Sequence, residues 1–234
     1  IGGMLDGGVL ACAKHFPGHG DTALDSHRGL PRVAHDLARL EAVELVPFRA
    51  VLEVVPSVML AHVVYAGVDV ARPATLSHAI ATDLLRTRLG YRGVAISDDL
   101  EMAAIHRSWG VAEGAVRSLE AGCDLLTIAH TPGHTVEAIR AMARRAASER
   151  PFRERLEQAA GRVRAMRERL RTLTPTGAME SADAVIREVT RRTPPVARVA
   201  QGEEFLVETE DSRGGLTRIP EHTTPEYLLA IRKK

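Results

Sequence analysis

The chain has 234 residues, 45% of them hydrophobic and 26% charged, and a formal net charge of +1. This length supports one sizeable core, or one domain with an appendage, and the composition is that of a globular protein. So small a net charge gives no field to steer a nucleic acid or a membrane surface, and no apolar run reaches the ~18 residues of a membrane span, so neither partner is expected.

The first apolar run, residues 9–16, is bounded by Gly8 and Pro17 and is too short for a helix. Continuous runs of this length suit parallel strands buried on both faces. It ends in Lys14-His15-Phe16-Pro17-Gly18-His19-Gly20-Asp21-Thr22, which continues to Asp25-Ser26-His27. Asp36 is then placed to cap a helix carrying Leu37, Leu40, Phe48, Val51 and Leu52, with Pro47 kinking or splitting it. A second strand is expected at 57–62. Ser77 follows as the cap of a helix with Ile80, Leu84 and Leu85 that stops at Gly90. The third strand, 93–97, runs into Asp98 and Asp99 and is followed by a helix over 111–120 ending at Gly122. The fourth, 125–128, precedes a helix carrying Val136, Ile139, Met142 and Ala143. A last helix covers 152–173, with Leu156, Ala160, Val163, Met166 and Leu170 on one face. From Thr174 the pattern changes. A short helix at 182–192, a break at Pro194 and Pro195 and a strand-like 204–208 make 174–234 a tail or the start of a second domain.

Cys12 and Cys123 each lie in an apolar run with no Cys or His at metal-ligand spacing. Both are expected to be buried free thiols, which suits a reducing, cytoplasmic compartment.

Strand followed by helix, four times over, is the signature of a parallel α/β sheet. A doubly wound sheet would carry a Gly-rich phosphate loop after its first strand, and none is present in that form. In a (β/α)8 barrel the chemistry sits on the loops that follow the strand C-termini. The polar residues cluster there: 14–27 after the first strand, His62 after the second, Asp98 and Asp99 after the third. The fold class is therefore α/β, a (β/α)8 barrel of TIM type, with about its C-terminal half in residues 1–173. Half a barrel leaves two raw sheet edges. Since the chain starts at Ile1 and not at Met, the other half is expected upstream.

Three His, two Asp and a Lys fall between Lys14 and His27, and Pro17, Gly18 and Gly20 give that loop tight turns. Such a stretch is either a polar surface loop or a site. In Ile96-Ser97-Asp98-Asp99-Leu100-Glu101-Met102, adjacent carboxylates at a strand end point to different sides. One can face the barrel mouth while the other caps the helix that follows.

With Ala61-His62, Pro73-Ala74-Thr75-Leu76-Ser77 and Ala121-Gly122-Cys123-Asp124, these stretches resemble the β-N-acetylhexosaminidase branch of glycoside hydrolase family 3, over residues 1–170. The resemblance implies the second half of a (β/α)8 barrel. It also implies a retaining hydrolase of terminal β-linked N-acetylglucosamine, whose partner is a small carbohydrate such as a cell-wall muropeptide. It makes Asp98 the nucleophile, with Asp99 as the alternative. His27 becomes the acid/base on a mobile loop, with Asp25 as its partner. Lys14 and His15 become ligands of sugar hydroxyls. His19 either shapes the loop or touches substrate, and His62 either lines the pocket or is a buried, hydrogen-bonded histidine. No cofactor and no metal are expected.

Other readings use the same residues. A neutral imidazole does not repel phosphate as a carboxylate would, so a phosphorylase is the nearest rival. A metal-dependent hydrolase built on His15, His19, His27, His62 and Asp98 is more distant, because neither a His-x-His strand nor an HExxH helix occurs. A non-catalytic fragment is the third.

Overall fold

The four apolar runs become four neighbouring parallel strands: β1 Cys12–Phe16, β3 Ser57–Leu60, β5 Val94–Asp99 and β6 Leu125–Thr127. Their spatial order is β1-β3-β5-β6, which repeats their order in the chain. Each strand thus lies beside its predecessor, the arrangement of a (β/α)8 barrel, and the sheet forms a partial barrel with β1 and β6 as its edges. Two strands escaped the sequence reading. β2 Arg32–Asp36 and β4 Val64–Gly67 form a separate two-stranded parallel sheet. β2 reads Arg-Val-Ala-His-Asp and buries only Val33, so it lacks the continuous apolar signal that marked the others.

A computed structural model describes residues 1–173. The chain divides into Ile1–Thr174 and Pro175–Lys234, and the expectations for 182–192, 194–195 and 204–208 lie outside the described residues. The helices are α1 Gly2–Asp6, α2 Leu37–Arg39, α3 Val46–Arg49, α4 Ala103–Trp109, α5 Val111–Ala121, α6 Pro132–Ser148 and α7 Arg150–Thr172. The Asp36 cap is present, its carboxylate accepting from Arg39 N at 2.8 Å. Beyond it the helix widens through a π-type stretch, Leu40–Glu44, closed by Leu45 N donating to Leu40 O, before Pro47 opens α3.

Ser77 does not cap the helix that follows it. Its hydroxyl is buried and unpartnered, and only its carbonyl accepts, from Ile80 N and Ala81 N. The helix Ala79–Arg88 is again π-wound, and Gly90 follows at φ +70°. Cys123 is buried as expected, but Cys12 is exposed, because it starts β1, which is an edge strand of the sheet among the described residues.

The main core lies between the sheet and the helices after β1, β3 and β5. Phe16, Leu40, Leu60, Tyr65, Ile80 and Leu85 have no exposed surface there, each contributing about 1.5–3 kcal/mol. At the opposite end of the sheet from the site, Asp124 ties strands to helices. Its buried carboxylate pairs with Arg86, with Arg155 at 2.8 Å and with Arg162 at 3.0 Å, and accepts from Ala95 N at 3.0 Å. Arg155 and Arg162 belong to α7, so one carboxylate pins that long polar helix beneath β5 and β6. Gly122 makes the approach possible. It sits at φ +133°, and a Cβ there would come within 2.6 Å of Thr82 Oγ1.

Candidate active site

The polar residues gather at the C-terminal ends of β1, β3 and β5. Lys14 and His15 lie in the last half of β1, His62 just past β3, and Asp98 and Asp99 at the end of β5. The Lys14–His15 and Phe16–Pro17 peptide bonds are cis. Residues 17–31 then loop across to β2. Gly18 is fixed by its surroundings: at φ +148°, a Cβ there would come within 2.7 Å of Glu44 Cβ, while its carbonyl accepts from the Tyr65 hydroxyl at 2.5 Å.

Asp98 offers one oxygen and commits the other. Oδ1 accepts from Asp99 N at 2.8 Å, and Oδ2 faces His15 Nε2 at 3.6 Å, with 17% of the side chain exposed. Burial lowers the His15 pKa against the opposing pull of Asp98, and Lys14, His19 and His27 push it in the same direction. His15 is therefore a neutral imidazole near pH 7.

Asp99 turns away from Asp98. Its Oδ1 accepts from Glu101 N at 3.1 Å and Ala129 N at 3.3 Å, and its Oδ2 lies 3.2 Å from His130 Nε2. It closes the turn after β5 rather than capping α4, which begins only at Ala103 with Met102 as its cap position.

The Asp25–His27 pair is formed and open to solvent. His27 Nδ1 lies 2.9 Å from Asp25 Oδ1, the same oxygen that accepts His27 N at 2.9 Å. The two side chains are 52% and 48% exposed. His19 sits inside the loop, with Nε2 3.3 Å from Ser26 Oγ, Nδ1 3.3 Å from Thr22 Oγ1, and its ring 5.6 Å from that of His15. These contacts hold the loop in shape.

His62 takes the internal arrangement. It has no exposed surface, Nε2 lies 2.9 Å from Asp99 O, and Nδ1 lies 2.8 Å from Thr75 Oγ1. A carbonyl can only accept, so Nε2 carries a proton. Burial lowers the His62 pKa, with Asp98 and Asp99 opposing. The ring is then neutral, and Nδ1, 2.8 Å from Thr75 Oγ1, shares the single hydroxyl proton with Ala61 O at 2.9 Å. Both nitrogens are spent on protein, so of the two arrangements left open for His62 the structure has the buried, hydrogen-bonded one.

Several partners had no signal of their own in the sequence. Thr75, buried without exposed surface, joins His62 to the end of β3 through contacts of 2.9 Å with Ala61 O and 3.3 Å with Leu60 O. Glu101 knots the segment after β6 to β5: it accepts from His130 N at 2.5 Å, Thr131 N at 3.2 Å and His134 Nδ1 at 2.7 Å. Burial pushes the Glu101 carboxyl up, but hydrogen bonds from Thr131, His130 and His134 outweigh it and bring it to about 2. Among the described residues, no set of three or more His, Cys, Asp or Glu is grouped to hold a metal ion.

The described site residues are thus a strand-end carboxylate with a neutral His beside it, and a His–Asp pair on the loop that follows β1. Residues 1–166 match the family described as the glycosyl hydrolase family 3 N-terminal domain. The chain belongs to glycoside hydrolase family 3. The β-hexosaminidase of Methylococcus capsulatus is 41% identical over 169 residues, 72% of this chain and 50% of that protein. That of Chromobacterium violaceum is 36% identical over 202 residues, 86% of this chain and 55% of the relative. Among solved structures, a family 3 β-N-acetylglucosaminidase from Paenibacillus superposes with a TM-score of 0.67 at 41% identity, over 76% of this chain and 36% of its own. The β-N-acetylglucosaminidase of Thermotoga maritima gives 0.61 at 31% identity, over 76% and 39%. The family 3 chain described here thus spans about half the length of these two curated relatives.

Proposed function

We propose that these residues serve a retaining β-N-acetylhexosaminidase that removes terminal β-linked N-acetylglucosamine from small saccharides, with cell-wall muropeptides as the substrate class. The observation that supports it most is the Asp98 carboxylate at the end of β5, with Oδ2 aimed toward His15 and partly exposed. A carboxylate so placed attacks the anomeric carbon and forms a glycosyl ester, which water then hydrolyses, so two displacements retain the configuration. His27 donates a proton to the leaving oxygen and later takes one from water, a general acid and base role open to an imidazole. Asp25, 2.9 Å from Nδ1, orients the ring and stabilises the imidazolium. Lys14 and the neutral His15 bind sugar hydroxyls, and His19 shapes the loop. A cytoplasmic setting belongs to this proposal and is supported by the two free thiols.

The test is hydrolysis of an aryl β-N-acetylglucosaminide, followed by a fluorinated sugar that traps the ester. Peptide mapping should find the label on Asp98, and Asp98→Asn should lower turnover by several orders of magnitude with little loss of stability. A label on Asp99, or turnover that survives Asp98→Asn, refutes the assignment. Turnover that requires phosphate would make the enzyme a phosphorylase.

A further inference from the structure

The loop of residues 17–31 carries His27, and the backbone on both sides of that residue is held by α4. Ser26 O accepts from Ala104 N at 3.3 Å, and Arg28 O accepts from Arg107 Nη1 at 2.9 Å. The turn between them closes on itself, with Arg28 N and Gly29 N both donating to Asp25 O. Ser26 is buried, and its hydroxyl meets His19, so the inner side of the turn is anchored in the loop's own interior. The outer side, after His27, has the Arg107 guanidinium.

The helix that supplies both contacts is the direct continuation of β5. Three residues separate Asp99 from Ala103. That link is itself tied, with Met102 N donating to Asp99 O at 3.0 Å and Glu101 N to Asp99 Oδ1 at 3.1 Å. Asp98 and α4 therefore move as one piece, and a turn bolted to α4 keeps station relative to Asp98. Lys14, His15 and His19 lie on β1 or at the start of the loop and give His27 no such tie to β5.

We infer that Arg107 is a positioning residue: through the Arg28 carbonyl it sets where His27 stands relative to Asp98. This rests on the roles proposed above for Asp98 and His27. Guanidinium suits the task. It stays protonated at every working pH and offers several donors, so the tie does not switch off as the imidazole titrates. Without it the Ala104–Ser26 bond and the His19–Ser26 contact remain, so the loop loosens without unfolding.

The experiment compares the 234-residue protein with Arg107→Ala, Arg107→Lys and His27→Ala. Amide hydrogen exchange of residues 23–30 is measured alongside turnover of two aryl β-N-acetylglucosaminides, one with a good and one with a poor leaving group. Arg107→Ala should raise exchange in 23–30 about tenfold while β1, β3 and β5 stay protected. It should slow the poor leaving group about tenfold and the good one less than about twofold, because only the former needs a well-placed proton. Arg107→Lys, which keeps one charged donor, should recover part of both effects. Unchanged exchange in Arg107→Ala, or equal losses on both glycosides, overturns the inference. If His27→Ala shows no split between leaving groups, the acid/base reading of His27 fails instead. The exchange measurement needs no turnover and still decides whether Arg107 holds the loop.

Discussion

Removing the Asp124 carboxylate should destabilise the unit of residues 1–174 by about 3–5 kcal/mol, the usual cost of stripping one partner from a buried ion pair. The Asp124 side chain has no exposure, while Arg86, Arg155 and Arg162 are 12%, 18% and 35% exposed. The Arg162 pair is screened by solvent and contributes little. Arg86 would keep Tyr91 O and Gly93 O, and Arg155 would keep Cys123 O at 2.6 Å. Asp124→Ala still leaves two largely buried guanidiniums without their counter-charge and the Ala95 N–H without its acceptor. At about 2–4 °C per kcal/mol for a unit of this size, the melting point should fall by roughly 6–20 °C. Asp124→Asn keeps shape and one acceptor but not the charge, and should fall between wild type and alanine. Urea unfolding can be followed through the fluorescence of Trp109, the chain's only tryptophan, which packs on the Leu100 and Ile105 cluster. A loss under about 1 kcal/mol, typical of an exposed pair, would mean that the carboxylate does not bear on α7 as described.

His27→Ala should slow poor leaving groups by about 10²–10⁴-fold and spare good ones, with added azide restoring part of the second step; Asp25→Ala should do the same more weakly. Equal losses without azide rescue would make His27 structural. His62 links stability to pH. Its folded-state pKa lies below its ordinary value of 6.5, so the unfolded chain binds the extra proton first as pH falls. The stabilisation is complete above about pH 6.5 and is lost toward the lower folded value. His62→Gln should flatten the fall in urea midpoint between about pH 7.5 and pH 5.5; a wild-type midpoint that does not fall over that range would refute the neutral, buried ring.

The sequence alone carried the four parallel strands, read as apolar runs at 9–16, 57–62, 93–97 and 125–128 and found at 12–16, 57–60, 94–99 and 125–127; burial on both faces fits the two inner strands, while β1 and β6 at the sheet edges are largely open. The sequence also placed Asp98 at a strand end and Asp25 and His27 on one Gly-bounded loop, since both are local features, while their roles rest on the family resemblance. Tertiary structure decided what depends on groups far apart in the chain. His62 became a strut because Thr75 and Asp99 O close on its two nitrogens, 13 and 37 residues away. The neutrality of His15 follows from burial among charges brought by three segments. β2 stayed hidden because its polar Arg-Val-Ala-His-Asp buries only Val33, and β4 because its apolar Val64–Gly67 follows so closely on the 57–62 run that only the fold separates the two. Ser77 looked like a cap by residue type, yet its hydroxyl is buried, because capping needs a side chain turned back to the helix N–H groups, and the packing of 73–77 turns it elsewhere. The Arg107 tie spans 79 residues, and only folding places that guanidinium on the carbonyl beside His27.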